Sequence, residues 1–309
     1  MRAISVINQK GGVGKTTSSV NISAALAGMG KRVCVIDLDP QAHASLHLGV
    51  ALGEDTPSMY HVLNEDVPLR DIRQEVSPNL FVCPAHLDLA AAEMELSGEV
   101  GREIILRDRL QDDDEDFDFL IIDCPPSLGV LTLNALTSTQ EVFLPLQPHF
   151  LALHGLSKLL KTVDVVARRL NPGLHLSGII YCMCESTTRL ASEVISDVES
   201  FFEAERSRQN VWNKVVSFQS RIRRNIRLAE APSFGQSIFQ YSPNSNGAED
   251  YLNLAMEVLA QDENEIVHPY EVHSLTLTRP EPPTEKRSAE SKSSDDTTTP
   301  EVVAERATA

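Results

Sequence analysis

The stretch Gln9-Lys10-Gly11-Gly12-Val13-Gly14-Lys15-Thr16-Thr17 restricts this chain's fold more than any other. It follows the short apolar run Ala3-Ile4-Ser5-Val6-Ile7 and opens a segment of helical period, Thr17 to Met29, closed by Gly30. A strand, a glycine-rich loop and a helix start in that order can surround a phosphate, because the first turn of a helix leaves its amides unpaired and its dipole favours negative charge. The glycines let main chain approach phosphate oxygens, Lys15 can reach the β/γ-phosphates, and the Thr16 hydroxyl can ligate Mg2+.

The remaining pattern supplies a sheet for such a loop. Val33-Cys34-Val35-Ile36, Leu80-Phe81-Val82-Cys83, Phe119-Leu120-Ile121-Ile122, Val142-Phe143-Leu144 and Ile179-Ile180-Tyr181-Cys182 are nearly continuous apolar runs, as in strands covered on both faces. Amphipathic segments lie between them, such as His154 to Leu170, closed by Asn171-Pro172-Gly173. The expected fold is α/β, a layered, mostly parallel sheet with helices on both faces, wound right-handed. This domain spans residues 1–260. From Gln261 to Ala309 the chain turns to Pro, Ser, Thr, Glu and Lys, too poor in apolar residues to offset chain entropy, which predicts a disordered, acidic tail. The run Gln111-Asp112-Asp113-Asp114-Glu115-Asp116 reads as an exposed loop before a strand.

Composition limits the partners. The 309 residues, 42% of them hydrophobic, suffice for a buried core. With 44 Asp+Glu against 27 Lys+Arg the net charge is -17, which excludes a surface basic all over and makes any nucleic-acid contact a local patch. Five cysteines, four of them in apolar runs, read as reduced buried thiols rather than a disulfide framework. No secretory peptide and no apolar run near eighteen residues is present, so a soluble cytoplasmic protein is expected. His43, His47, His86, His149 and His154 are scattered without the spacing of a metal-ligand set.

Two acidic motifs end predicted strands, at the edge where parallel sheets bind ligands. Asp37-Leu38-Asp39-Pro40-Gln41 offers two carboxylates, one able to hold magnesium water and one able to orient an attacking water. In Phe119-Leu120-Ile121-Ile122-Asp123-Cys124-Pro125-Pro126-Ser127, Asp123 can accept from a Mg2+-bound water, and Cys124 reads as packing.

The loop itself departs from the ordinary phosphate motif. Gln9 stands where glycine is usual, and Lys10, just before Gly11-Gly12, is free to point outward toward another subunit's phosphates. Here the chain resembles the deviant Walker A P-loop ATPases of the ParA/MinD family, whose motif is KGGxGK[ST]. Pro84 to Ala90, Leu146-Gln147-Pro148 with Leu153 to Leu156, Arg223 to Ser233 and Gly247 to Tyr251 are similar to the chromosome-partitioning ParA branch, so the likeness covers Met1 to Ala260. It implies ATP and Mg2+ as cofactors and slow, partner-stimulated hydrolysis with Lys10, Lys15 and Asp39 as the catalytic groups. It implies phosphate binding by Lys10, Gly11, Gly12, Val13, Gly14, Lys15, Thr16 and Thr17, metal binding by Thr16, Asp37 and Asp123, and adenine contacts from Asn225 and Pro232. It further implies an ATP-dependent homodimer on the nucleoid, non-specific DNA binding through Arg189, Arg221, Arg223, Arg224 and Arg227, a ParB-like DNA-bound activator, and no membrane partner. Guanidinium groups suit phosphate and make affinity fall with salt.

The chain also departs from that family. DPQGN becomes Asp39-Pro40-Gln41-Ala42-His43, an arginine becomes Thr187, and I-P-R-N becomes Ile222-Arg223-Arg224-Asn225 after extra residues around Glu205 to Ser220. Rival expectations keep the DNA engine with a protein cargo, follow MinD to the membrane, or make the chain a ligase, amidase or iron-sulfur reductase.

Overall fold

Alternation along each strand explains the unbroken apolar runs. In β2 (Val33–Asp37), Cys34 and Ile36 pack on one face of the sheet and Val33 and Val35 on the other; in β5 (Phe119–Asp123), Leu120 and Ile122 part in the same way from Phe119 and Ile121. Both faces are therefore buried, as predicted. The computed structural model describes residues 1–53, 56–149, 152–185, 189–208 and 210–261, all within one compact unit, Met1–Arg279. The tail expected over 261–309 lies outside the described residues apart from Gln261, as does Thr187.

Besides β2 and β5, the chain runs through β1 (Arg2–Val6), α1 (Lys15–Gly28), α2 (His43–His47), α3 (Met59–Asn64), α4 (Leu69–Ile72), β3 (Gln74–Ser77), β4 (Leu80–Cys83), α5 (Leu89–Glu95), α6 (Ile105–Gln111) and α7 (Val130–Ser138). It continues with β6 (Glu141–Leu146), α8 (Ala152–Arg169), β7 (His175–Tyr181), α9 (Arg189–Glu205), β8 (Val216–Ser217), α10 (Ile226–Glu230), α11 (Ile238–Tyr241) and α12 (Asn246–Ala260). The strands form one sheet in the order β3-β4-β2-β5-β1-β6-β7-β8, parallel throughout except for β3 against β4. Helices α3 to α9 cover one face, and α1, α10, α11 and α12 cover the other.

Three features were not expected. Gln74–Ser77 is polar and forms an antiparallel edge, and the two-residue β8 extends the opposite edge; strands that short or solvated carry little apolar signal. In the acidic run before β5, Asp113 does not face solvent but pairs with Arg73, whose guanidinium lies 4.9 Å from the Phe117 ring centroid. Third, α1 is buried despite being rich in polar residues. Its side chains bond back within the helix, Ser23 Oγ to the Ser19 carbonyl at 2.6 Å and Asn21 Nδ2 to the Thr17 carbonyl at 2.8 Å, which satisfies the groups the burial takes from water.

Ala42 starts α2 with φ 53°, a left-handed conformation that glycine adopts without cost. Of the two residues at which the chain departs from DPQGN, Ala42 is thus the one whose backbone wants glycine. Ala42→Gly is expected to stabilise the protein by about 1 kcal/mol, read as a higher urea midpoint; an unchanged or lower midpoint would contradict this account of the turn.

Candidate functional site

The C-terminal ends of β1, β2 and β5 lie side by side, and register brings their acids together. Val6 is opposite Asp123 in the β1–β5 pair, and Asp37 is opposite Asp123 in the β2–β5 pair. Residues 7–14 connect β1 to α1, whose first turns reach Asp123 through Thr16 and Ser19. Gly14, at φ 96°, precedes α1, and no side chain caps the helix; no acid lies in its first turn. Its free amides and the positive end of its dipole make an anion receptor of the kind the glycines predicted.

The two lysines of this loop part company. Lys15 is 7% exposed, whereas Lys10 stands on the exposed rim. The Lys10 amide donates to Asn8 Oδ1 at 2.9 Å, and its ammonium meets Nε2 of His149, beyond the end of β6. His149, which carried no signal in the sequence, is therefore drawn to this edge.

Both central acids are fully buried and held by short donors. Thr16 Oγ1 and Ser19 Oγ each donate to Asp123 at 2.7 Å. Asp37 accepts from Ser45 Oγ at 2.7 Å, Ser45 N at 2.9 Å and Asp39 N at 3.1 Å. Burial, then the neighbouring Asp123 charge, pushes Asp37 up to about 7, while burial pushes Asp123 up to about 6 against the opposing bonds from Thr16 and Ser19. Asp39, buried at 8% exposure, accepts from Gln41 N at 3.0 Å. A hydroxyl and two crowded carboxylates are hard oxygen donors in want of positive charge, which fits a divalent cation beside the phosphate cradle.

Next to the loop opens a cavity of about 520 Å3, lined among others by Gly14, Thr17, Cys182, Met183, Asn225 and Tyr251. Its size suits a nucleoside continuing from the phosphates. Asn225 caps α10 through a 2.9 Å bond from Arg227 N. Pro232 falls in the 3-10 turn Ala231–Phe234 and is not among the lining residues. The Gly247 to Tyr251 motif now has physical content. A Cβ on Gly247 would lie 2.8 Å from Leu228 Cγ and 3.2 Å from Asn225 Nδ2, so only glycine lets α12 start here. Asp250 accepts from Arg223 N at 2.8 Å and Nε at 2.9 Å, and Tyr251 OH shares a 3.1 Å hydrogen bond with Ser18 of α1.

The arginine group is less open than its sequence suggests. Arg223 is bound to Asp250 and Glu249, both at 2.6 Å, and the buried Asp250 makes it a structural residue. Arg224 pairs with Glu185 at 3.3 Å, Arg227 with Glu230 at 2.8 Å, and Arg221 with Glu199 at 3.9 Å while lying 5.6 Å from the Tyr181 ring centroid. Arg189 begins α9, and its side chain lies outside the described residues.

Comparison with known proteins follows from this geometry. The AAA domain family matches residues 1–176. The sporulation initiation inhibitor protein Soj of Bacillus subtilis is 44% identical over 260 residues, 84% of this chain and 98% of its own length. The chromosome partitioning protein ParA of Myxococcus xanthus is 41% identical over 262 residues, 84% of this chain and 89% of its own. Among solved structures, cobyrinic acid a,c-diamide synthase from Mycobacterium smegmatis, with bound ATP analog and magnesium, is 34% identical with a TM-score of 0.71, covering 85% of this chain and 96% of that one.

The acid pair sets a pH dependence. A carboxyl whose native pKa is raised keeps a proton that the unfolded chain has released, so its contribution is full below the unfolded value and is lost as pH rises through the native one. Without cation or nucleotide, wild type should lose stability from this pair between about pH 4 and about pH 7. Asp37→Asn should shrink the difference between urea midpoints at pH 5 and pH 8; an identical difference in both proteins would refute the raised pKa of Asp37.

Proposed function

Because the chain belongs to the ParA/Soj family of chromosome-partitioning ATPases, we propose that it hydrolyses ATP slowly in a face-to-face homodimer that binds DNA while ATP is held. The observation that carries the reading is the division of labour between the two lysines. Lys15 is buried beneath its own loop, and Lys10 stands exposed at the rim, where a second protomer's phosphates can reach it.

Each group then has a task. Amides from Gly11 to Thr17 donate to phosphate oxygens, and Lys15 neutralises the β/γ-phosphates. Thr16, Asp37 and Asp123 would hold Mg2+, which when bound supplies positive charge to the transferring phosphoryl group. Asp39 orients water toward the γ-phosphorus and accepts its proton, and Lys10 serves the partner's nucleotide. Asn225, which lines the cavity beside the loop, contacts adenine there, and Pro232 contributes to adenine binding from the turn that follows α10. Arg189, Arg221, Arg224 and Arg227 contribute to phosphate contacts with DNA of any sequence, which associates the protein with the nucleoid. A DNA-bound, ParB-like partner speeds hydrolysis and returns the protein to monomers, so nucleotide state is the switch. Among the described residues no helix is long and apolar enough to cross a membrane.

The 34% identity to cobyrinic acid a,c-diamide synthase favours a second reading, in which the same loop activates a carboxylate for amide formation. One experiment separates the two: retention on non-specific duplex DNA with ATP and Mg2+. Wild type is expected to bind, and Lys10→Ala to lose at least tenfold in affinity, about 1.4 kcal/mol. Equal binding by both would overturn the role of Lys10, and a wild type that retains no DNA would favour the synthase reading.

A further inference from the structure

Helix α8 carries a basic face with nothing paired to most of it. Lys158, Lys161, Val165, Arg168 and Arg169 recur at i, i+3, i+7, i+10 and i+11, which at 100° per residue places them in an arc of roughly 100°. All five are exposed, while Leu156, Leu159, Leu160, Val163, Val166 and Ala167 are buried. The helix holds four Lys and Arg and one acid, Asp164, which pairs with Arg168. Among the described residues no ion pair is made by Lys158, Lys161 or Arg169.

This stands apart in a chain of net charge -17. At Arg221, Arg223, Arg224 and Arg227 an incoming phosphate must first displace a carboxylate. At Lys158, Lys161 and Arg169 it displaces only water and counterions. From this contrast we propose that the outer face of α8, through Lys158, Lys161 and Arg169 with Arg168 beside them, is an additional surface on which the protein holds the phosphates of duplex DNA. The inference rests on the DNA-binding reading above and deepens it.

The chemistry of the stripe selects its partner. From Lys158 to Arg169 the helix rises about 17 Å, enough to face about five phosphates along one strand of a duplex. Val165 is the one apolar member, and no aromatic ring is present on which unpaired bases could stack. Nor does the stripe carry Asn or Gln to read base edges. Duplex binding without sequence preference follows.

The test compares full-length wild type with Lys158→Gln/Lys161→Gln/Arg169→Gln and with Arg221→Gln/Arg224→Gln/Arg227→Gln. Affinity for random-sequence duplex is measured against salt with ATP and Mg2+, and mass is measured on the same samples. The α8 variant should lose at least thirtyfold in affinity, with the slope of log affinity against log salt falling by about 2.7 for each protomer engaged. Its ATP-dependent dimer mass should match that of wild type, and combining both sets of substitutions should lower affinity further than either set alone. Unchanged affinity and slope in the α8 variant would overturn the assignment, as would a loss that merely follows loss of the dimer. Binding of an acidic protein but not of duplex by the stripe would overturn it too. A wild type that binds no DNA would instead remove the parent reading, and the stripe's assignment with it.

Discussion

Two carboxylates pressed together out of water set the terms for the rest of this molecule. Asp37 and Asp123 face each other across adjacent parallel strands, fully buried, at the point where α1 offers its unpaired amides. A protein that only needed to be stable would not place them so, since burying like charges side by side costs free energy. The cost is contained by donors from three elements: Thr16 and Ser19 of α1, Ser45 of α2, and the Asp39 amide. What remains is a demand for positive charge, met in the account above by a cation and by Lys15. The polar interior of α1 follows from the same demand, since the helix must bring hydroxyls as well as a dipole.

The second organising contact joins the phosphate loop to the cavity beside it. Tyr251 of α12 is bonded to Ser18 of α1, Gly247 lets α12 close against Asn225 and Leu228, and Asp250 of the same helix fixes Arg223. A single helix thus holds three walls of the site at set distances. The arrangement also ties Arg223, one of the arginines expected at DNA, to α12.

What could be read from the chain, and what could not, follows the range of the interactions. The central strands were legible because both faces are buried and the apolar runs are unbroken. The phosphate loop was legible because its chemistry is compressed into nine consecutive residues, and the acids because strand ends announce them. The edges β3 and β8 were not, being short or polar. The cavity was hidden because its walls come from segments around residues 14, 182, 225 and 251. Ion pairs such as Arg224–Glu185 join residues 39 apart, so an arginine-rich segment looked freer than it is. Ala42 showed as a departure from a family pattern, but only its backbone angle gave that departure an energetic meaning.

Among the described residues most arginines are paired with the protein's own acids, whereas Lys158, Lys161 and Arg169 on the outer face of α8 make no ion pair. The central claim is that triphosphate joins two protomers. Analytical ultracentrifugation of Asp39→Ala with saturating ATP and Mg2+ tests it most directly. The account predicts about twice the monomer mass with ATP and monomer mass with ADP; monomer mass under both conditions would contradict it.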